Sequence, residues 1–472
     1  MAFVRVWLLR FALKNVICRK YEAVRGRVAR FFIVLLQGKR ITDMLKKLKD
    51  SIAHAPHGLS RLLLLMGLLL VLACHDDERP VEPEPSQEEE TQPEEPRQEV
   101  DSSGMLVSVV RTEEINFVDA LEGTLTELGV SVTDLPSYSA LLEIASLRSR
   151  VYNAHVVTYH TTDPYGQPVV ASGVVYYPQT GKPKGVIEAL SFHKEKYTCP
   201  SKQIGNSDML PGLSGYIVLV ADLIGSGSTE SMVPPYLYFD NAAKVSADLR
   251  RAATELVSNV YAVDMPKKTI ITGYSLGASE AWALARYYHF HPELDVQPKE
   301  VWIGGGVYNP LGVLRSQLQT GYTDYVFIPN AMYSLNYYEK LGLDLHDVFR
   351  GKLSEHYEEW CTGNVSVTSL SSRLGTDISQ YLNMDFFDES NPVFQDICTR
   401  LERFAIPNDW VPSCKIHVYH GRDDTFVPIS SSDELVDYLR SVGADVDYVT
   451  KKGGHAKCGI TMITDLMMKL YY

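Results

Sequence analysis

From residue 151 onward, short apolar runs alternate with longer amphipathic stretches, and this alternation sets the expected architecture. Val186 to Ser191, Gly215 to Ala221, Lys268 to Thr272, Val301 to Gly306, Lys415 to Tyr419 and Val446 to Thr450 are short, mostly apolar, and bounded by turn-forming or polar residues. That is how buried strands read. Asn241 to Tyr261, Ala278 to His291 and Gly459 to Leu470 instead repeat apolar residues every three or four positions, as helices do. Strand and helix in alternation predict an α/β domain with a mostly parallel, doubly wound sheet over residues 105–472. Thr112 to Leu147 reads as a helical lead-in. Between Gly306 and Lys415 lies a long stretch rich in Tyr, Leu and Phe with helical patches. A structureless loop of that length does not suit a compact domain, so residues 307–412 are expected to form an inserted helical cap, with most rings used in its own core. The chain shows no internal repeat.

The first 104 residues follow other patterns. Residues 1–61 hold 14 basic and 3 acidic residues, and Leu62 to Ala73 is an uncharged apolar run ending at Cys74. Twelve residues fall short of the roughly twenty needed to span a bilayer but suit the core of a signal peptide. Val71-Leu72-Ala73-Cys74 resembles a bacterial lipobox, which implies lipidation of Cys74 and cleavage before it. An ordinary signal peptide or a peripheral anchor helix are the alternatives. An apolar core sixty residues into the chain is unusual; a start at Met44, with Lys46, Lys47, Lys49 and Arg61 as its positive region, would restore normal proportions. Residues 75–104 are Pro, Glu and Gln with few apolar side chains, and such a segment buries too little surface to offset its ordering entropy. A tether is expected there. Asp76-Asp77-Glu78 resembles the acidic signal that directs some bacterial lipoproteins to the outer-membrane surface, unless it simply begins the solvated linker. The expected location is therefore the bacterial cell envelope, lipid-anchored, at the outer membrane. With +11 on the leader and −10 on the linker, a net charge of −13 leaves about −14 on the body, which argues against nucleic acid.

The chemistry is concentrated in three places. Gly273-Tyr274-Ser275-Leu276-Gly277 lies between a strand pattern and a helical one, the setting of a nucleophile elbow. A sharp turn there lifts the serine hydroxyl clear of the sheet's carboxyl edge. A serine nucleophile needs a base, and the base needs an orienting carboxylate. Both follow in the order Ser, Asp, His. His420-Gly421-Arg422-Asp423-Asp424-Thr425-Phe426-Val427-Pro428 ends a strand and supplies Asp424 as the acid, with Asp423 and Asp409 as competitors. Gly453-Gly454-His455 supplies the base on a glycine-rich loop able to swing over the serine, while His193, His417 and His420 read as structural.

These residues resemble the elbow, acid loop and histidine loop of the α/β-hydrolase superfamily. Upstream, Tyr159 to Pro168 followed by Ala171 to Val175, Gly215 to Gly227, and Val233-Pro234-Pro235-Tyr236-Leu237 resemble the secretory lipase family, best known from fungal lipases. The likeness covers roughly residues 105 to 472, apart from the segment between 306 and 412. It implies an α/β-hydrolase fold and a serine esterase or lipase in which Ser275, Asp424 and His455 form the triad. The oxyanion donors would be the backbone N–H of Leu276, first in its helix, and an amide near Lys194. The loop Phe192-His193-Lys194-Glu195-Lys196 departs from the His-Gly-rich form of many esterases.

Small-molecule or lipid esters are the expected partners. Two rivals remain: a serine peptidase of the prolyl oligopeptidase type, for which no propeller-like repeats are present, and a surface binding protein with a dead hydrolase fold. No metal-ligand spacing and no glycine-rich nucleotide loop occurs, so no cofactor is expected. Apart from Cys18 and Cys74, the five cysteines Cys199, Cys361, Cys398, Cys414 and Cys458 leave room for one or two disulfides in an oxidising envelope compartment.

Overall fold

Among the described residues nine strands form one mixed sheet in the order β1-β2-β3-β5-β4-β6-β7-β8-β9. They are β1 Leu106–Ile115, β2 Tyr152–Thr162, β3 Pro168–Pro178, β4 Val186–Leu190, β5 Ile217–Ala221, β6 Lys268–Tyr274, β7 Gln297–Gly304, β8 Lys415–Gly421 and β9 Val446–Lys451. The computed structural model describes residues 104–116, 120, 124, 151–192, 195–324 and 326–471. The leader with Cys74, nearly all of the acidic linker and Lys194 lie outside the described residues. From β5 to β9 every pairing is parallel, whereas β1, β2, β3 and β5 pair antiparallel.

The middle strands explain their own composition. β4 and β5 are buried at every position, which is why they read as continuous apolar runs rather than as alternation. Glu188 is the exception in β4, and its charge is matched: Arg250 Nη1 donates to Oε1 at 2.8 Å and the Tyr288 hydroxyl to Oε2 at 2.6 Å. Helices α1 (Phe239–Tyr261) and α2 (Leu276–Phe290) are the two expected crossover helices, and their alanine-rich faces pack into the apolar core.

One expectation fails at the start of the domain. Thr112 to Ile115 belong to β1, an edge strand, and not to a helix; of the rest of the expected lead-in only residues 116, 120 and 124 are described, and Ala120 and Thr124 are helical as expected. Antiparallel pairing with β2, Thr112 opposite His155 and Ile115 opposite Tyr152, decides the conformation there. Such pairing is non-local, and the exposed Arg111, Glu113 and Glu114 hide the strand period while protecting the open edge.

Between β7 and β8 the chain builds helices α3 Pro310–Thr320, α4 Phe327–Tyr338, α5 Leu345–Val348, α6 Gly351–Trp360, α7 Val367–Leu374 and α8 Pro392–Glu402. Many rings do serve the insertion's own packing, as in Phe386 on Phe387 and Phe387 on Phe394. After the insertion come helices α9 Ser430–Ser441 and α10 His455–Tyr471. All five described cysteines are free thiols, so the expected disulfides are absent among the described residues. Among those residues no helix is long and apolar enough to cross a membrane.

Candidate active site

The turn from β6 into α2 is as tight as the glycines suggest. A Cβ at Gly273 would collide with the carbonyl of Gly277, and a Cβ at Gly277 would collide with the carbonyl of Leu190 on β4. Only glycine permits that approach. Ser275 between them is half-buried and holds φ 59°, ψ −127°, a conformation costing a non-glycine residue about 1–3 kcal/mol. The surroundings enforce it: Ser275 N–H donates to Gly304 O at 2.9 Å, and Ala278 N–H donates to Ser275 O at 3.0 Å. Leu276 opens α2, so its N–H belongs to the first turn, where no intrahelical acceptor exists.

The acid and the histidine meet. Asp424 Oδ2 lies 2.7 Å from His455 Nδ1, and the Asp424 side chain is wholly buried. Its Oδ1 accepts from the Phe426 and Val427 amides at 2.9 and 3.0 Å. Burial alone would push this carboxyl up, yet hydrogen bonds from His420 and His455 and the positive charge available on His455 outweigh it, holding Asp424 well below the usual carboxylate range. An ionised carboxylate only accepts, so Nδ1 of His455 carries the proton and Nε2 presents a lone pair. Nε2 is buried and has no hydrogen-bond partner.

His455 sits at the start of a helix and not on a loop. It is the first residue of α10, the Tyr274 hydroxyl donates to its carbonyl at 2.6 Å, and Phe426 stacks on its ring at 5.0 Å and 20°. The expected position on a loop is therefore corrected, since His455 opens α10. Gly453 and Gly454 let the chain turn into the helix, and the exposed Asp423 fixes that turn by accepting the Gly453 amide at 2.9 Å. Asp423 thus supports the loop, and Asp409 is committed elsewhere, pairing with Arg286 through contacts of 2.8 and 2.5 Å. His417 stacks on Trp302.

Three residues near the site escape a reading of motifs. Tyr274 packs its ring 5.0 Å from that of His455. His420, read as structural, is fully buried and lies behind the acid, with Nε2 3.0 Å from Val427 O and 3.4 Å from Asp424 Oδ2, and Nδ1 2.7 Å from Ser432 Oγ. Its place four residues before Asp424 at a strand end was the available signal. Glu280 is a buried carboxyl on α2, detectable only as an acidic letter inside an otherwise apolar helical run.

A cavity of about 100 Å³ opens beside the elbow, its wall including Ser191, Phe192, Leu276 and Glu280 from the core and Asn330 and Cys361 from the insertion. The insertion also reaches the acid loop: Thr425 donates to Asp324 at 2.6 Å and Gln317 to the Phe426 carbonyl at 3.0 Å.

No protein-family model and no curated protein matches the chain. Solved structures do. The rice cell wall degrading esterase LipA from Xanthomonas oryzae superposes with a TM-score of 0.62 at 19% identity, covering 79% of this chain and 97% of its own. A protein from Legionella pneumophila regarded as a hydrolase gives 0.62 at 18%, covering 76% and 96%. Lipase A of Candida antarctica gives 0.50 at 14%, covering 68% and 78%. The fold is that of the α/β-hydrolases. In an α/β-hydrolase the turn from β6 to α2 is the elbow, and the insertion between β7 and β8 lies on the chain between elbow and acid loop. At such identities the likeness carries the fold, and chemistry rests on the site itself.

Proposed function

We propose that this chain is a serine hydrolase of carboxylic esters that works through an acyl-enzyme. Ser275 Oγ attacks the ester carbonyl as Nε2 of His455 takes its proton. Asp424 holds the imidazole in the required tautomer and stabilises the imidazolium. The Leu276 N–H and an amide near Lys194 receive the oxyanion. His455 then returns the proton to the departing alcohol as the ester C–O bond breaks, and water, deprotonated by the same histidine, releases the acid. The single observation carrying this reading is the 2.7 Å Asp424–His455 contact, which leaves a buried Nε2 with a free lone pair in a fold that also holds Ser275 at an enforced positive φ. The neighbours that are an esterase and a lipase favour esters over peptides.

A fluorophosphonate probe should label the protein once, and peptide mapping should find the adduct on Ser275. Labelling at another serine, or none with soluble folded protein, overturns the proposal. The insertion over residues 307–412 acts in this reading as a cap on the substrate pocket. We further propose a lipid anchor at Cys74 placing the enzyme in the cell envelope. Cys74→Ser should shift the protein out of the membrane fraction or leave it unprocessed; an unchanged, correctly cleaved and membrane-bound product would refute the anchor.

A further inference from the structure

The cavity beside the elbow contains one polar group whose presence the fold does not explain. Glu280 sits one turn beyond Leu276, and residues four apart share a helix face, so both side chains line the same space. Glu280 is 4% exposed, and its Oε2 has no hydrogen-bond partner. Its helical neighbours Ala278, Ala281 and Leu284 are buried and apolar. An apolar residue at 280 would suit the core better, since a buried polar group without a partner costs about 1–3 kcal/mol.

Asp222 and Asn241, two other polar groups on the wall, are already engaged. Asp222 accepts from Ser172 Oγ at 2.5 Å and from the Ser201 amide at 2.9 Å, and Asn241 donates to the Thr162 carbonyl at 2.8 Å. Burial raises the Glu280 carboxyl to about 8, so at neutral pH it is mostly a neutral acid, with an O–H donor and a carbonyl acceptor. The half-buried Lys196 on the same wall disfavours an incoming ammonium group. At about 100 Å³ the space is well below the roughly 300–1,000 Å³ of a drug-sized pocket, so it suits a short substituent and not a long alkyl chain.

We infer that this cavity is a specificity subsite in which Glu280 hydrogen-bonds a neutral oxygen substituent, a hydroxyl or carbonyl, carried by a short-chain ester. The inference rests on the ester-hydrolase reading above. A plain alkyl group would leave the carboxyl unpartnered, whereas a hydroxyl can satisfy both its donor and its acceptor. Sites built to bond a substrate hydroxyl discriminate strongly against analogues that lack one.

The test compares 4-nitrophenyl butanoate with its 2-, 3- and 4-hydroxy and amino counterparts, on wild type, Glu280→Gln and Glu280→Leu, with folding of each checked by thermal melting. In the wild type the best hydroxylated ester should exceed plain butanoate in kcat/KM by about tenfold or more. Glu280→Leu should lower that ratio at least about tenfold, while Glu280→Gln, which keeps a donor and an acceptor, should retain most of it. A wild-type ratio near one, a ratio unchanged in folded Glu280→Leu, or preference for an amino ester overturns the inference and leaves ester hydrolysis standing. Failure of folded wild-type protein to turn over any ester overturns the hydrolase reading and this inference together.

Discussion

Two carboxyls, both almost fully removed from water, meet opposite fates on the two sides of this site. Asp424 accepts from two backbone amides and faces two imidazoles, and it stays ionised in spite of burial. Glu280 has no such partners, and burial drives it toward the neutral form. Burial is common to both, so partners decide the charge. One carboxyl has its bonds supplied by the protein, as the proposed orienting acid requires; the other has none, as the proposed substrate contact requires.

Removing the proposed nucleophile should have the largest effect. Ser275→Ala should lower kcat on nitrophenyl esters by roughly 10⁴ or more and abolish fluorophosphonate labelling, with the melting temperature little changed. Persistent turnover would place the nucleophile elsewhere. On the acid side, Asp424→Asn should cost on the order of 10⁴ in kcat, because an amide favours the wrong imidazole tautomer, while Asp423→Asn should cost less than about fivefold. The opposite ranking would move the acid by one position.

Stability against pH separates the two carboxyls by sign. For Glu280 the folded pKa of about 8 lies above the ordinary 4.5, so the native state keeps a proton the unfolded chain gives up, and stability falls as pH rises through that window. For Asp424 the shift is downward, so its contribution is present above the ordinary carboxylate range and is lost as pH falls below it. Denaturant titrations of Glu280→Gln should therefore show a loss of stability between pH 5 and 9 smaller than wild type by about 2–4 kcal/mol. An equal slope in the two proteins would mean that Glu280 is ionised in the native state. The smallest expected effect concerns the insertion's share of the cavity wall. Asn330→Asp should raise KM for butanoate about three- to tenfold relative to acetate, through desolvation of the new charge. Equal changes for both esters would place the insertion outside the substrate's path.

What was legible in the sequence was local. Ser275, Asp424 and His455 stand in short segments whose strand, turn and helix patterns are carried by neighbouring letters, and those patterns locate them without a structure. β1 was not legible because residues 37 to 53 positions away, on β2, determine it. Glu280 and the placements of His420 and Tyr274 were missed for a related reason. Their letters show nothing of which side chain faces a cavity, stands behind an acid or packs on a histidine ring. The contact to the His455 carbonyl is a case in point, since the tyrosine that donates to it lies 181 positions earlier.

The stem of the insertion bears on how the molecule comes apart. Ser279 of α2 accepts the Val307 amide at 2.8 Å, Ser431 of α9 accepts the Tyr308 amide at 3.1 Å, and the same Ser431 donates to Gly306 O at 2.8 Å. At the returning end Trp410 packs on Trp282 of α2 at 4.8 Å, and apolar residues of the insertion share one buried cluster with that helix. Opening the insertion would expose these serines and the apolar side of the helix that begins at the elbow. Insertion and sheet are thus tied together at both ends of the insertion, so a single cooperative melting transition is the expected outcome.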